Sequence, residues 1–149
     1  PDLIRQYGIE IDEYYLIVGR LIPDNNWDLI IEEFISNNSN KKLIIAGDVP
    51  YNDAFSDSIQ CIKDDRLIFA GHISDQELLC ELYHNCYTYF HGHEYGGTNP
   101  TLLEALAFGC SILALDTVFS REVLDNEEYG QYFTKKRGSL AGFHCFNAN

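Results

Sequence analysis

The sequence predicts an α/β domain, a parallel β-sheet with helices on both faces. Three observations lead to it. Short continuous apolar runs alternate with stretches of helical periodicity, which is the pattern of a parallel sheet covered on both sides. The connections between them are short, as crossover units require. Three of the apolar runs, at Gly19, Gly47 and Gly71, end directly in glycine.

Tyr14 to Val18 is a first strand, uninterrupted by polar residues and ending at Gly19. Trp27 to Ile35 has apolar residues at helical spacing. Leu43 to Ala46, ending at Gly47, is a second strand; Asp53 to Ile62 is a weaker helix; Leu67 to Ala70, ending at Gly71, is a third strand. Ser74-Asp75-Gln76-Glu77 reads as a capping box opening a helix that runs to about Asn85. Cys86 to Phe90 is a fourth strand. Pro100 to Phe108 is a helix with proline at its first position and Gly109 closing it. Ser111 to Leu115 is a fifth strand, followed by a short helix around Arg121 to Leu124 and a strand at Gln131 to Phe133. The pattern is lost over the tail, 135–149. The chain therefore divides into one domain, 1–134, and an irregular tail.

A chain of 149 residues fits one domain of roughly 100–200 residues. At 46% apolar residues it can bury a core, and a net charge of -13 argues against a nucleic-acid partner. It does not exclude a phosphate ligand, because charges beyond about 8 Å are screened at physiological salt and local donors decide. The five cysteines, Cys61, Cys80, Cys86, Cys110 and Cys145, show no C-x-x-C spacing. They read as reduced and mostly buried thiols of a cytoplasmic protein. There is neither a secretory leader nor a run long enough to span a bilayer. The chain has no methionine, which predicts an excerpt of a longer protein.

In an open α/β sheet the ligand sits beyond the carboxyl ends of the strands. Lys41, Lys42 and Arg66 precede strands, so they lie at the other edge. Arg20 follows the first strand and is the only basic residue at a carboxyl end before Arg121. Its guanidinium fork suits phosphate oxygens; the alternative is a surface arginine in a local ion pair. The fourth strand runs into His91-Gly92-His93-Glu94-Tyr95-Gly96-Gly97-Thr98-Asn99-Pro100. Adjacent glycines before a helix N-terminus allow close backbone approach, and the free amides there favour an anion. Thr98 or Asn99 would cap the helix; an ordinary Gly-Gly turn with a cap is the alternative. Glu104 is the only residue charged at neutral pH between Tyr95 and Leu115. Its helix is almost wholly apolar, which predicts a buried carboxylate in need of partners. Those partners are ribose hydroxyls, or else backbone amides or Arg121.

His91, His93 and Glu94 raise a metal reading, but a third ligand would have to come from elsewhere, and His72 and His84 offer no motif spacing. No metal is expected; His91 or His93 contacts a phosphate or a sugar hydroxyl instead. No G-x-G-x-x-G follows the first strand, and neither a G-x-x-x-x-G-K-[ST] loop nor a G-x-S-x-G elbow is present. A phosphoacceptor signalling domain would need aspartates where Arg20 stands.

Several segments together resemble a known family. They are Val18-Gly19-Arg20-Leu21 with Pro23-Asp24-Asn25-Asn26, Ile45-Ala46-Gly47-Asp48, Phe69-Ala70-Gly71, and above all His91 through Ala105. Over about Tyr14 to Phe133 the chain resembles the C-terminal, Rossmann-like donor-binding domain of GT-B-fold glycosyltransferases of family 4, the group 1 glycosyltransferases. Within that group it is most similar to a rhamnosyltransferase-like subset. The resemblance implies retaining transfer of a sugar, rhamnose for this subset, from a nucleotide diphosphate such as dTDP to a glycan or lipid-linked acceptor. It implies no cofactor and no metal, with the donor phosphate helping to deprotonate the acceptor.

At matching positions the resemblance implies that Gly19, Arg20 and Asn25 belong to the diphosphate site. Gly96, Gly97, Thr98 and Asn99 would hold diphosphate and sugar through backbone amides, with His91 and His93 beside them. Glu104 would hold the ribose, and His72-Ile73 would lie beside the nucleobase. Arg20, Glu104 and Glu94 are the catalytic candidates. The sequence departs from the family twice. Gly96 stands where a sugar-binding glutamate is usual, with Glu94 two residues earlier, and Asn25 stands where a lysine is usual. The acceptor would be held by an N-terminal domain absent from this chain, and the longer protein could associate peripherally with a membrane. A non-catalytic module binding a nucleotide or another anion is the alternative function.

Overall fold

A computed structural model describes residues 2–37, 39–48, 54–94, 100–125 and 128–135. Six strands form one sheet: β1 (Tyr14–Val18), β2 (Lys42–Ala46), β3 (Leu67–Gly71), β4 (Thr88–His91), β5 (Ile112–Leu115) and β6 (Gln131–Phe133). Their spatial order is β3-β2-β1-β4-β5-β6, and every pairing is parallel. This order reverses direction between β1 and β4, which is where open α/β sheets leave a crevice.

The two faces are buried by different elements. Successive strand residues point to opposite faces, so Tyr15, Ile17, Leu43, Ile45 and Phe90 share one core with α1 (Trp27–Ile35) and α2 (Ala54–Gln60). Tyr14, Leu16, Ile44, Tyr89 and Ile112 share the other with α3 (Gln76–Asn85) and α4 (Pro100–Ala107). A short 3-10 helix, Leu3–Tyr7, joins that second core through Ile4. In α1, Ile30, Ile31 and Phe34 are fully buried, each worth about 1.5–3 kcal/mol relative to exposure. The basic residues at the amino edge have structural work. The Arg66 guanidinium donates to the carbonyls of Ile35, Asn37 and Ser39, closing the end of α1, and lies over the Phe34 ring at 4.6 Å.

Several boundaries differ from the expectation. The helix α3 is capped by Asp75, not Ser74: Asp75 is the last extended residue, and its carboxylate accepts from the amides of Glu77 and Leu78. β4 starts at Thr88 because Cys86 still closes α3. The last helix, α5 (Val118–Val123), starts earlier than expected, because Thr117 caps it through Ser120 N and overrides the low helix propensity of Val118 and Phe119. Cys61 and Cys80 are exposed rather than buried, Cys61 in the turn after α2 and Cys80 on the outward side of α3. Asp53 and the tail 136–149 lie outside the described residues. No described helix is long and apolar enough to cross a membrane.

Candidate functional site

A cleft of about 190 Å³ opens between the carboxyl ends of β1 and β4, lined by Val18, Gly19, Arg20, Asn25, His91, Gly92, His93 and Thr101 among others. Two chain segments build it, and their stitching is unusually dense. After β1 the chain turns through a 3-10 helix, Pro23–Asn25. Asn25 Nδ2 donates to the Arg20 carbonyl at 2.6 Å, closing that turn on itself. Asn26 Nδ2 donates to the Gly92 carbonyl at 2.8 Å, and the Glu94 amide donates to the Asp24 carbonyl at 2.9 Å. The turn after β1 and the loop after β4 are thus one hydrogen-bonded unit.

Gly92 is needed for that contact: a Cβ there would lie 2.3 Å from the Asn25 carbonyl oxygen. On the neighbouring strand, a Cβ at Gly47 would lie 1.5 Å from the Gly19 carbonyl oxygen, and its φ is +154°. Both glycines are where two backbones approach more closely than any side chain allows.

The histidines differ in chemistry. His91, the last residue of β4, is buried, and burial pushes its pKa down to about 3, with His93 adding to the effect. It therefore lines the cleft as a neutral imidazole. His93 Nδ1 lies 2.8 Å from Asn25 Oδ1. An amide oxygen can only accept, so Nδ1 carries the hydrogen and Nε2 of the neutral ring is an acceptor. Both ends of the buried Asn25 amide are bonded within the protein, so it positions His93 and the Arg20 turn; one N–H and one oxygen lone pair of the amide are left over at the cleft it lines.

Arg20 lies at the mouth of the cleft, is exposed, and has no side-chain ion pair among the described residues. The local ion-pair alternative for it does not hold there. Other basic residues at this edge are engaged: Arg121 forms a two-pronged pair with Asp116, at 2.6 and 3.0 Å, and Lys135 pairs with Glu94. The Glu94 carboxylate, a catalytic candidate in sequence, thus has a lysine partner.

Glu104 requires a correction. It is exposed, not buried. α4 buries Leu102 and Ala105 and packs Leu106 partly against the core, while Leu103 is 44% exposed, so the apolar composition of the helix does not mean burial on all sides. Glu104 does not line the cleft. Its charge acts instead on the buried Tyr83 hydroxyl, whose pKa is raised first by burial, then by Tyr89 and Glu104. Of the alternative partners, Arg121 pairs with Asp116, and the backbone amides just ahead of the helix lie outside the described residues. Thr101, which sequence reasoning passed over, is the α4 residue that reaches the cleft; its place one turn ahead of Ala105 on the inward face was the available signal.

His72 and Ile73 follow β3, at the same edge of the sheet but two strands from β1. They do not line the cleft, and His72 Nδ1 faces Asp48 Oδ1 at 3.3 Å. Gly96, Gly97, Thr98 and Asn99 lie outside the described residues. No group of three or more metal-ligating side chains comes together among the described residues.

The family described as "Glycosyl transferases group 1" matches residues 1–141. A comparison with curated proteins gives no match. Among solved structures, HepE of Anabaena in complex with UDP and glucose superimposes with a TM-score of 0.80 at 19% identity, covering 94% of this chain and 40% of that one. The lipopolysaccharide outer core galactosyltransferase WaaB, in its apo form, gives 0.69 at 19% identity, covering 91% of this chain and 40% of that one. AviGT4, a glycosyltransferase involved in avilamycin A biosynthesis, gives 0.61 at 17% identity, with 92% and 44% covered. At these identities the likeness establishes the fold. This chain spans about two-fifths of the length of HepE.

Proposed function

Because this chain belongs to the group 1 glycosyl transferases, we propose that it is the donor-binding half of a glycosyltransferase. It would move a sugar from a nucleotide diphosphate to a glycan or lipid-linked acceptor. The observation that carries this reading is the cleft at the β1/β4 reversal, with an arginine at its mouth that has no ion pair among the described residues. Arg20 supplies the fork for phosphate oxygens. His91 supplies a neutral imidazole, and His93 an acceptor nitrogen suited to a sugar hydroxyl. HepE is recorded with UDP and glucose, which supports a nucleoside diphosphate as the ligand class.

The finer proposals are retaining transfer, a rhamnosyl donor, no resident metal, and a cytoplasmic site of action. The acceptor would be held by a second domain of the same protein. Glu104, exposed on α4, enters this reading as a ribose contact made from the surface rather than as a buried ligand.

The test is a calorimetric titration of UDP, dTDP and GDP with and without their sugars. The donor reading expects a sugar-bearing nucleotide to bind more tightly than its bare diphosphate. Equal affinity for the diphosphate and any sugar would instead favour a non-catalytic anion-binding module. Arg20→Ala should weaken diphosphate binding by about 1.5–3 kcal/mol, the size of a charged hydrogen bond, with the circular dichroism spectrum unchanged. An unchanged dissociation constant would remove Arg20 from the site.

A further inference from the structure

Cys86 and Cys110 stand at the amino edge of the sheet, away from the cleft. Cys86 follows α3 on the way into β4, and Cys110 follows α4 on the way into β5. Those two strands are direct neighbours, with Tyr89 opposite Ile112 and the Tyr89 amide bonded to the Ser111 carbonyl at 2.8 Å. Pairing of the strands thus brings together two thiols 24 positions apart in the chain, their sulfurs 3.9 Å from one another. Both also approach the Tyr83 carbonyl, Cys86 at 3.4 Å and Cys110 at 3.0 Å. The two sites are unequal. Cys86 is 7% exposed, whereas Cys110 is only half-buried.

We propose that Cys86 and Cys110 are a redox pair that closes reversibly into a disulfide, stapling the bases of β4 and β5. The segment so closed contains β4, residues 92–99 and α4, and β4 with Gly92, His93 and Thr101 lines one side of the cleft. The sulfurs need approach by only about 2 Å to reach bonding distance. The reaction is exchange with a low-molecular-weight disulfide such as oxidised glutathione. The Cys110 thiolate attacks one glutathione sulfur, forming a mixed disulfide and releasing one glutathione thiolate. Cys86 then loses its proton and attacks the Cys110 sulfur, releasing the second glutathione. Two protein thiols are oxidised and one glutathione disulfide is reduced to two thiols. The order follows from exposure. It is supported by the hydrogen bond that Cys86 donates to Cys110, which lowers the Cys110 pKa and raises that of Cys86.

The inference does not depend on the glycosyltransferase reading. The reduced chain is incubated with oxidised glutathione, remaining thiols are blocked with iodoacetamide, and the peptides are mapped by mass. The expected product is a cross-linked peptide joining residues 86 and 110, lost on treatment with dithiothreitol. Cys61 and Cys80, which are exposed, should carry stable glutathione and serve as controls for the oxidant. In Cys86→Ser the adduct at Cys110 should persist. Persistent glutathione on Cys110 with Cys86 intact, or two free thiols at 86 and 110 while Cys61 and Cys80 are modified, would overturn the proposal. The mapping of the unaltered chain decides the matter even if the variant fails to fold.

Discussion

His91 shows how a single residue can be decided by its surroundings. Its pKa is about 3 in the folded domain against about 6.5 in an unfolded chain. Between those values the unfolded state binds a proton that the folded state refuses. Stability attributable to His91 is therefore complete above about pH 6.5 and falls as pH drops toward 3, with a slope of up to ~1.4 kcal/mol per pH unit. Urea unfolding followed from pH 7 to 4 should show this loss, and His91→Phe should flatten it; an equal slope in the variant would assign the acid sensitivity to other groups. Gly92 is constrained by geometry instead of charge. With a Cβ 2.3 Å from a backbone oxygen, Gly92→Ala has no flexible neighbour to displace. It should cost about 1–3 kcal/mol by overpacking and weaken diphosphate binding as well, because the turn that carries Arg20 is bonded to the same loop. Thermal unfolding and the UDP titration read the two effects separately.

The elements follow local chemistry closely, with instructive exceptions. α3 is held at its start by Asp75, so Asp75→Ala should destabilise the domain by about 1 kcal/mol while Ser74→Ala leaves the urea midpoint nearly unchanged. The reverse result would restore Ser74 as the cap. The sequence pattern identifies the helix but not which of two adjacent capping residues is used, since that depends on which one remains extended. α4 teaches the converse lesson. Its composition is that of a buried helix, yet it fully buries Leu102 and Ala105, packs Leu106 partly against the core and turns Glu104 outward. Periodicity places residues on a helix; the helix's position at the sheet surface decides which stripe is covered.

At the scale of the whole molecule, the cleft exists because the strand order reverses between β1 and β4. It has one built wall of protein on each side and an open mouth, and the chain spans two-fifths of HepE. We expect the isolated chain to bind a nucleoside diphosphate weakly and to transfer no sugar, since the proposed acceptor half is a separate domain. An assay with radiolabelled nucleotide sugars and a glycan acceptor checks this, and transfer well above background by this chain alone would contradict it. Of the two carboxylates assigned by analogy with the family, Glu94 pairs with a lysine and Glu104 is exposed on α4. Their engagement with a donor is thus a question for variants of each, read by binding.

By itself the sequence determined the α/β class, the position of every strand to within two residues, and Arg20 as a cation at the carboxyl edge of the sheet. These follow from apolar run length, period and the glycines at strand ends, all of which are local. It also marked His91 and His93 as neighbours of one site. Only the tertiary structure decided that Asn25 bonds to His93 and the Arg20 carbonyl, that Glu94 is paired with Lys135, that Glu104 is exposed, and that His72 lies two strands away. Each of these depends on contacts between segments far apart in the chain. A side chain's partners are set by strand order and by which backbones pass close enough to bond, and no local pattern records either.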